Sequence, residues 1–223
     1  MTSFLDQLRN EYETVQRSRP DEAEVEGFDV IDARMSKSFK WLEKAVSYLN
    51  DIKSPINHRF NLGHGLRFES PRFGRGFVGQ HKCNIRGFSA IDEISLHYEI
   101  TAATPLTAQI SAMEAELLKT SLEAANLPCT SRRIVDADGV VRKCQVSIPP
   151  AIPAAVMFRA NYRTGIVTVT LVNADRFDRI SLAFRSNAIR ESVLEDVMKF
   201  ILGSDLALLK RAPLAGIRGA AHS

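Results

Sequence analysis

The stretch that decides the fold lies near the middle of the chain and reads Ile94-Ser95-Leu96-His97-Tyr98-Glu99-Ile100-Thr101. Apolar and polar side chains alternate along it, which is the pattern of a β-strand with one face on a core and the other in water. Six glycines interrupt residues 58–100, where helical periodicity is lost. We therefore predict short antiparallel strands joined by glycine turns.

The same alternation returns further along the chain, between residues 129 and 185. Asp138-Gly139 and Thr164-Gly165 are each flanked by strand-like runs, and glycine supplies the positive φ that tight hairpins need. We expect about five antiparallel strands in this region. A brief strand is also expected over residues 106–110.

Two helices are predicted to cover this sheet. Ser111 and Glu114 have the spacing of a capping box, and the apolar residues after them continue a helix near 112–126. A second helix is predicted near 188–202, where Gly203 is a natural end.

The first 55 residues are predicted to form a helical hairpin. Apolar residues at helical spacing indicate a helix from about Phe4 to Arg17, which Pro20 ends. An acidic connector follows, and a longer helix is predicted from Phe28 to Ile52. The fold class is therefore α+β, with an N-terminal helical hairpin (1–55), an α+β body of antiparallel sheet with covering helices (56–212) and a flexible tail (213–223).

The longer helix of the hairpin carries two apolar rows, which is more than one packing partner usually covers. One interpretation assigns both rows to the core of the chain. The other is that helix 28–52 binds a protein partner or a second copy of the chain through the first row. The first row is Met35, Phe39, Leu42, Val46 and Leu49, and the second is Trp41, Ala45, Tyr48 and Ile52.

Composition and the N-terminus favour a cytoplasmic protein with no membrane association. The chain is 45% hydrophobic and 25% charged, close to the average of globular proteins. An acid, Asp6, stands where a signal peptide would be apolar, and no run approaches the roughly 18 apolar residues of a spanning helix. The cysteines, Cys83, Cys129 and Cys144, fit neither a disulfide framework nor zinc spacing, and we interpret them as small buried hydrophobes.

Positive charge is concentrated between Lys53 and Ala90, where seven Lys or Arg face one acid and the net charge is +6, against −3 elsewhere. Arginine donates forked hydrogen bonds to phosphate, glycine lets backbone amides approach an anion, and phenylalanine offers a stacking face. One prediction is therefore that segment 59–86 binds nucleic acid or a phosphorylated ligand. The alternative is a hairpin with solvated arginines and phenylalanines in the core. The predicted anion-binding residues are Arg67, Arg72, Arg75, Lys82 and Arg86.

Evidence for catalysis in the sequence is weak. His97 and Glu99 share the polar face of one strand and could form an acid–base pair, although ordinary exposed sheet positions are favoured. P-loop, dinucleotide, calcium and zinc motifs are missing from the sequence, so we predict no cofactor and no metal. The leading hypothesis is a non-enzymatic accessory or regulatory protein that acts through protein–protein association. Ligand binding by segment 59–86 is the first alternative, and an enzyme with a site around His97 and Glu99 is the second.

Overall fold

The computed structural model describes residues 27–85, 87–124 and 127–219. Helices in this part of the chain are α1 (Phe28–Ile52), α2 (Ala112–Ala124), α3 (Glu191–Ile201) and α4 (Ala207–Arg211). The strands are β1 (Phe60–Gly63), β2 (Leu66–Phe68), β3 (Arg72–Ile85), β4 (Phe88–Thr101), β5 (Leu106–Ser111), β6 (Thr130–Val135), β7 (Val141–Ile148), β8 (Ala151–Asn161), β9 (Ile166–Val172), β10 (Asp178–Arg185) and β11 (Leu214–Gly219). The α+β prediction is confirmed. The predicted helix from Phe4 to Arg17 lies outside the described residues, so its pairing with α1 as a hairpin stays a prediction.

The strands form one large antiparallel sheet and two smaller ones. The large sheet has the order β11-β10-β9-β8-β4-β3. Its neighbours β4 and β8 are separated in the chain by residues 102–150, which form a three-stranded sheet of order β5-β7-β6 in contact with α2. Helix α2 was expected to cover the main sheet, whereas α2 covers this inserted sheet. Strands β1 and β2 form a hairpin of their own.

The first apolar row of α1 packs inside the chain. Met35, Leu42 and Val46 are almost completely buried, Leu49 is buried and Phe39 is half-buried against the same core. Helix α1 contacts β3 and β4, and α3 lies beside it, where Trp41 Nε1 donates a hydrogen bond to Glu191 at 2.9 Å. Burying apolar side chains is the main favourable term in folding, so this row provides much of the core.

The approach of α1 to β3 is close because Gly76 has no side chain. A Cβ on Gly76 would lie 2.8 Å from the Phe73 ring and 3.1 Å from Val46. The side chain of Asn50 bonds both backbone groups of Gly76, since its Oδ1 accepts from the amide at 2.7 Å and its Nδ2 donates to the carbonyl at 2.9 Å. Asn50 thus replaces the neighbouring strand that the edge strand β3 lacks at this point.

Several local predictions are confirmed in atomic detail. Glu114 N–H donates to Ser111 Oγ at 3.2 Å, and the Glu114 carboxylate accepts from the Ser111 amide at 3.0 Å, as a capping box requires. Gly139 and Gly165 have positive φ in the expected turns, and five strands, β6–β10, fill residues 130–185. Residues 214–219 were expected to belong to a flexible tail, but they pair with β10 as β11 because β10 otherwise has an unpaired edge.

The β9–β10 loop joins the β1–β2 hairpin to the large sheet. The Asn61 amide donates to the Asp175 carbonyl at 3.2 Å, and the rings of Phe60 and Phe177 lie 5.2 Å apart. Arg176 in the same loop pairs with Asp175 at 3.0 Å and with Asp178 at 3.5 Å. Burial and the charge of Asp175 raise the pKa of the Asp178 carboxyl from 3.8 to about 6, against a smaller opposing effect of Arg176.

This raised pKa predicts how Asp178→Asn changes stability with pH. The folded chain holds the Asp178 proton more tightly than the unfolded chain, so its stabilising effect is complete below about pH 4 and lost as pH rises through 6. Asparagine resembles the protonated acid, so the variant should match the parent near pH 4. Above pH 7 it should be more stable by up to about 3 kcal/mol. Urea unfolding at both pH values measures this, and a variant less stable than the parent at pH 7.5 would contradict it.

Candidate binding face of the sheet

The large sheet has one face in the core and one that is open. In β4, β8 and β10 the inward positions are buried, and the alternate positions are exposed or half-buried. The register places the open-face residues in rows across the strands. One row is Phe77, His97, Ala155, Val172 and Arg179, the next is Gly79, Ser95, Met157, Thr170 and Ser181, and a third is His81, Glu93, Arg159, Thr168 and Ala183.

The middle row of this open face is low, since apart from Met157 it holds only small side chains, namely Gly79, Ser95, Thr170 and Ser181. The Thr170 and Ser181 hydroxyls are 3.1 Å apart, and Glu93 accepts a hydrogen bond from Arg159 Nε at 3.0 Å. The face therefore has polar groups at its centre and charged groups around them. A surface of this shape suits an extended or planar ligand better than a deeply enclosed one.

A cleft of about 610 Å³ lies at the β3 side of the open face. Its lining includes Arg75, Phe77, His97, Glu99 and Pro153. Arg75 lies in the irregular stretch between Phe73 and Gly76, where the β3–β4 register shifts. The cleft thus joins one predicted anion-binding residue to the predicted acid–base pair.

The most unusual group in the cleft is an exposed aromatic pair. The Phe77 ring is 62% exposed and lies on the His97 ring, with the centroids 5.1 Å apart and the planes at 18°. In the sequence these two residues belong to different predictions, because Phe77 lies in the basic segment and His97 on the next strand. Their contact depends on the Phe77↔His97 register across β3 and β4. The alternation around His97 indicated its face, but nothing in the sequence indicated its partner.

The other predicted anion-binding residues do not converge on this cleft. Arg67 lies on β2 and pairs with Glu69 at 2.8 Å, and Arg72 Nη1 donates to the Lys53 carbonyl at 3.4 Å. Lys82 is exposed further along β3, about 30 Å from Arg72 at the usual rise of a strand. Arg86 lies outside the described residues. Lys82 pairs with the buried Ile91, so its side chain lies on the face of β3 opposite Phe77.

The predicted partner-binding row of α1 lies inside the protein. Met35, Phe39, Leu42, Val46 and Leu49 pack in the core of the chain, as described above. The second row is the more accessible one, since Tyr48 is 57% and Ile52 66% exposed. Any partner of α1 would therefore meet the second row first.

A cluster of titratable groups lies at the second irregularity of the β3–β4 pair, between His81 and Lys82. His81 Nδ1 is 2.6 Å from the Asp92 carboxylate. Burial raises the pKa of the Cys83 thiol, and the charge of Asp92 and a hydrogen bond to it raise that pKa further. Burial also raises the pKa of Cys129. Thiols shifted in this direction are poor nucleophiles, because the thiolate is the reactive form.

The described residues contain no group of three or more His, Cys, Asp or Glu side chains that could hold a metal ion. Within the same ranges, none of the helices is long and apolar enough to cross a membrane. Comparison of the chain with protein-family models, curated proteins and solved structures gave no match.

The raised pKa of Cys83 can be tested by alkylation with iodoacetamide. Asp92→Asn removes the negative charge and the charged acceptor, so the pKa of Cys83 should fall and its alkylation at pH 8 should accelerate. Cys129 is the internal control, because its environment includes Glu123 and Lys119 rather than Asp92. Peptide mass spectrometry over time measures both rates. Equal Cys83 rates in parent and variant would show that Asp92 does not control this thiol.

Proposed function

We propose that this chain is a non-enzymatic cytoplasmic binding protein whose open sheet face takes single-stranded nucleic acid. The observation that carries the proposal is the exposed Phe77 ring, which lies on His97 beside Arg75 in the cleft. Nucleobases stack on exposed aromatic rings, and arginine binds the phosphates between them. A base that covers the exposed Phe77 ring removes apolar surface from water, and this burial favours binding.

The distribution of charge supports an elongated ligand. Arg72 and Arg75 are exposed on β3, about 10 Å apart at the usual rise of a strand and thus too far apart for one phosphate, whereas Lys82 pairs with the buried Ile91 and lies on the other face of the strand. A flexible single strand can follow β3 and place a base on Phe77. Glu99, in the same cleft, can accept a hydrogen bond from an exocyclic amino group of that base. Double-stranded nucleic acid keeps its bases stacked inside, so the single strand is the expected form.

Fluorescence anisotropy with labelled single-stranded oligonucleotides tests this proposal. With Arg72 and Arg75 as the two cationic contacts, log affinity should fall against log salt with a slope of about −1.4, and Arg75→Gln should reduce the slope by about 0.7. Phe77→Ala should weaken binding by about 1–3 kcal/mol through lost stacking.

Matched controls change residues that do not line the cleft. Arg132→Gln changes an exposed arginine on the inserted sheet, and Tyr48→Ala removes an aromatic ring of similar exposure on α1. Both variants should bind like the parent. Undetectable binding at low salt, or equal losses in Phe77→Ala and Tyr48→Ala, would refute the proposed face.

Protein–protein association is the second candidate function, and the exposed second row of α1 favours it. Tyr48 and Ile52 lie one turn apart on the side of α1 that faces away from the sheet, and Lys44 Nζ lies 5.9 Å from the Tyr48 ring centroid. A second copy of the chain could cover these residues by packing α1 against α1. Exposed apolar residues that cluster in this way are a common feature of interfaces.

Light scattering across a concentration series tests the association of two copies. The parent should approach twice the mass of one chain as concentration rises, and Tyr48→Ser with Ile52→Ser should shift the equilibrium to the monomer. Phe77→Ala is the control and should leave the mass unchanged. A parent that stays monomeric at every concentration would remove this candidate and leave the nucleic-acid proposal untouched.

A further inference from the structure

The β1–β2 hairpin carries a second concave surface whose residues are not those of the open face. Phe60, Leu62 and Phe68 anchor the hairpin, since all three are buried in the core. The opposite side of the hairpin is polar and carries Arg67 and Asn61, which are paired across the strands. The buried residues therefore fix the hairpin in place, and with it the backbone that carries the polar side chains.

Two arginines on the polar side are held by one carboxylate. Arg67 Nε lies 2.8 Å from Glu69 Oε1, and Arg59 Nε lies 3.1 Å from Glu69 Oε2. Each guanidinium uses its Nε for Glu69, and within the described part of the chain its terminal nitrogens have no hydrogen-bond partner. The cluster keeps a net charge of +1 from two arginines and one acid. Exposed ion pairs add little stability, so the main effect of Glu69 is to orient the two guanidinium groups.

The turn between the strands completes a pocket of about 370 Å³. Gly63, His64 and Gly65 all have positive φ, of 85°, 50° and 74°, so the chain curls tightly here. The Gly63 amide bonds the Asn61 side chain at 2.9 Å, which fixes the start of the turn. The lining of the pocket includes this turn, Arg59, Asn61 and Arg67. Two guanidinium groups beside a glycine turn give this pocket the positive charge that an anion requires, in a volume that also leaves room for the group carrying the anion.

We propose that this hairpin pocket binds a phosphoryl group, with the terminal nitrogens of Arg59 and Arg67 donating to its oxygens. Guanidinium groups match the geometry of phosphate oxygens, and prior orientation by Glu69 lowers the conformational entropy lost on binding. The group could come from free phosphate or from a phosphorylated side chain. The pocket uses no residue of the Phe77 cleft, so it extends the proposed function and does not depend on it.

NMR titration of the full chain with inorganic phosphate, and separately with a phosphoserine peptide and its unphosphorylated form, tests the pocket. Saturable shifts are expected at the Gly63 and Gly65 amides for both phosphate probes and none for the unphosphorylated peptide. A tighter response to the phosphopeptide than to phosphate identifies a phosphorylated side chain as the better source. Arg59→Gln and Arg67→Gln should each weaken binding roughly tenfold.

Arg132→Gln is the matched control, because Arg132 is an exposed arginine on the inserted sheet. It should titrate like the parent. The pocket is refuted if neither phosphate probe gives saturable shifts at the turn, or if the Arg59 and Arg67 variants respond like Arg132→Gln. Oligonucleotide binding by Phe77 and Arg75 is measured independently, so failure of one site is distinguishable from failure of the other.

Discussion

The close packing of α1 on β3 and β4 is the constraint on which the rest of the structure depends. The helix lies close enough to the sheet that a side chain on Gly76 would collide with Phe73 and Val46. Asn50 forms hydrogen bonds with the amide and the carbonyl of Gly76, where a neighbouring strand is missing. The close packing of α1 therefore also satisfies part of the unpaired edge of β3. With α1 on one face of the large sheet, the opposite face stays accessible, and the candidate binding surface lies there.

This packing also explains why the basic segment is rich in glycine. Its glycines were interpreted as residues that let backbone amides approach an anion. Gly74 and Gly76 are instead required by protein packing, because a Cβ on Gly74 would lie 2.6 Å from Thr101 and one on Gly76 would meet Phe73. Phe68 and Phe73 are buried, as the structural alternative expected, whereas Phe77 is exposed. The structural alternative therefore holds for Phe68 and Phe73 but not for Phe77, and ligand binding by the segment stays a prediction.

The candidate sites could be predicted only in part from the sequence. Residue type and local charge singled out Arg67 and Arg75, and alternation placed His97 and Glu99 on the polar side of a strand. The contacts of these residues come from distant positions: Phe77 meets His97 across two strands, Pro153 joins the cleft from β8, and Glu69 holds Arg59 as well as Arg67. Pairings of this kind depend on register and loop closure, which local patterns do not specify.

By itself, the sequence determined the local elements of this protein. Periodicity placed α1 at 28–52, the Ser111–Glu114 spacing placed the start of α2, and glycine turns placed the β6–β10 hairpins, because each depends on interactions between residues close in the chain. The tertiary structure alone decided that residues 102–150 form an inserted sheet, that β11 completes the large sheet, and which row of α1 is buried. Those outcomes depend on contacts between residues far apart in the sequence. The chain adopts the arrangement that buries the most apolar area and leaves the fewest strand edges unpaired.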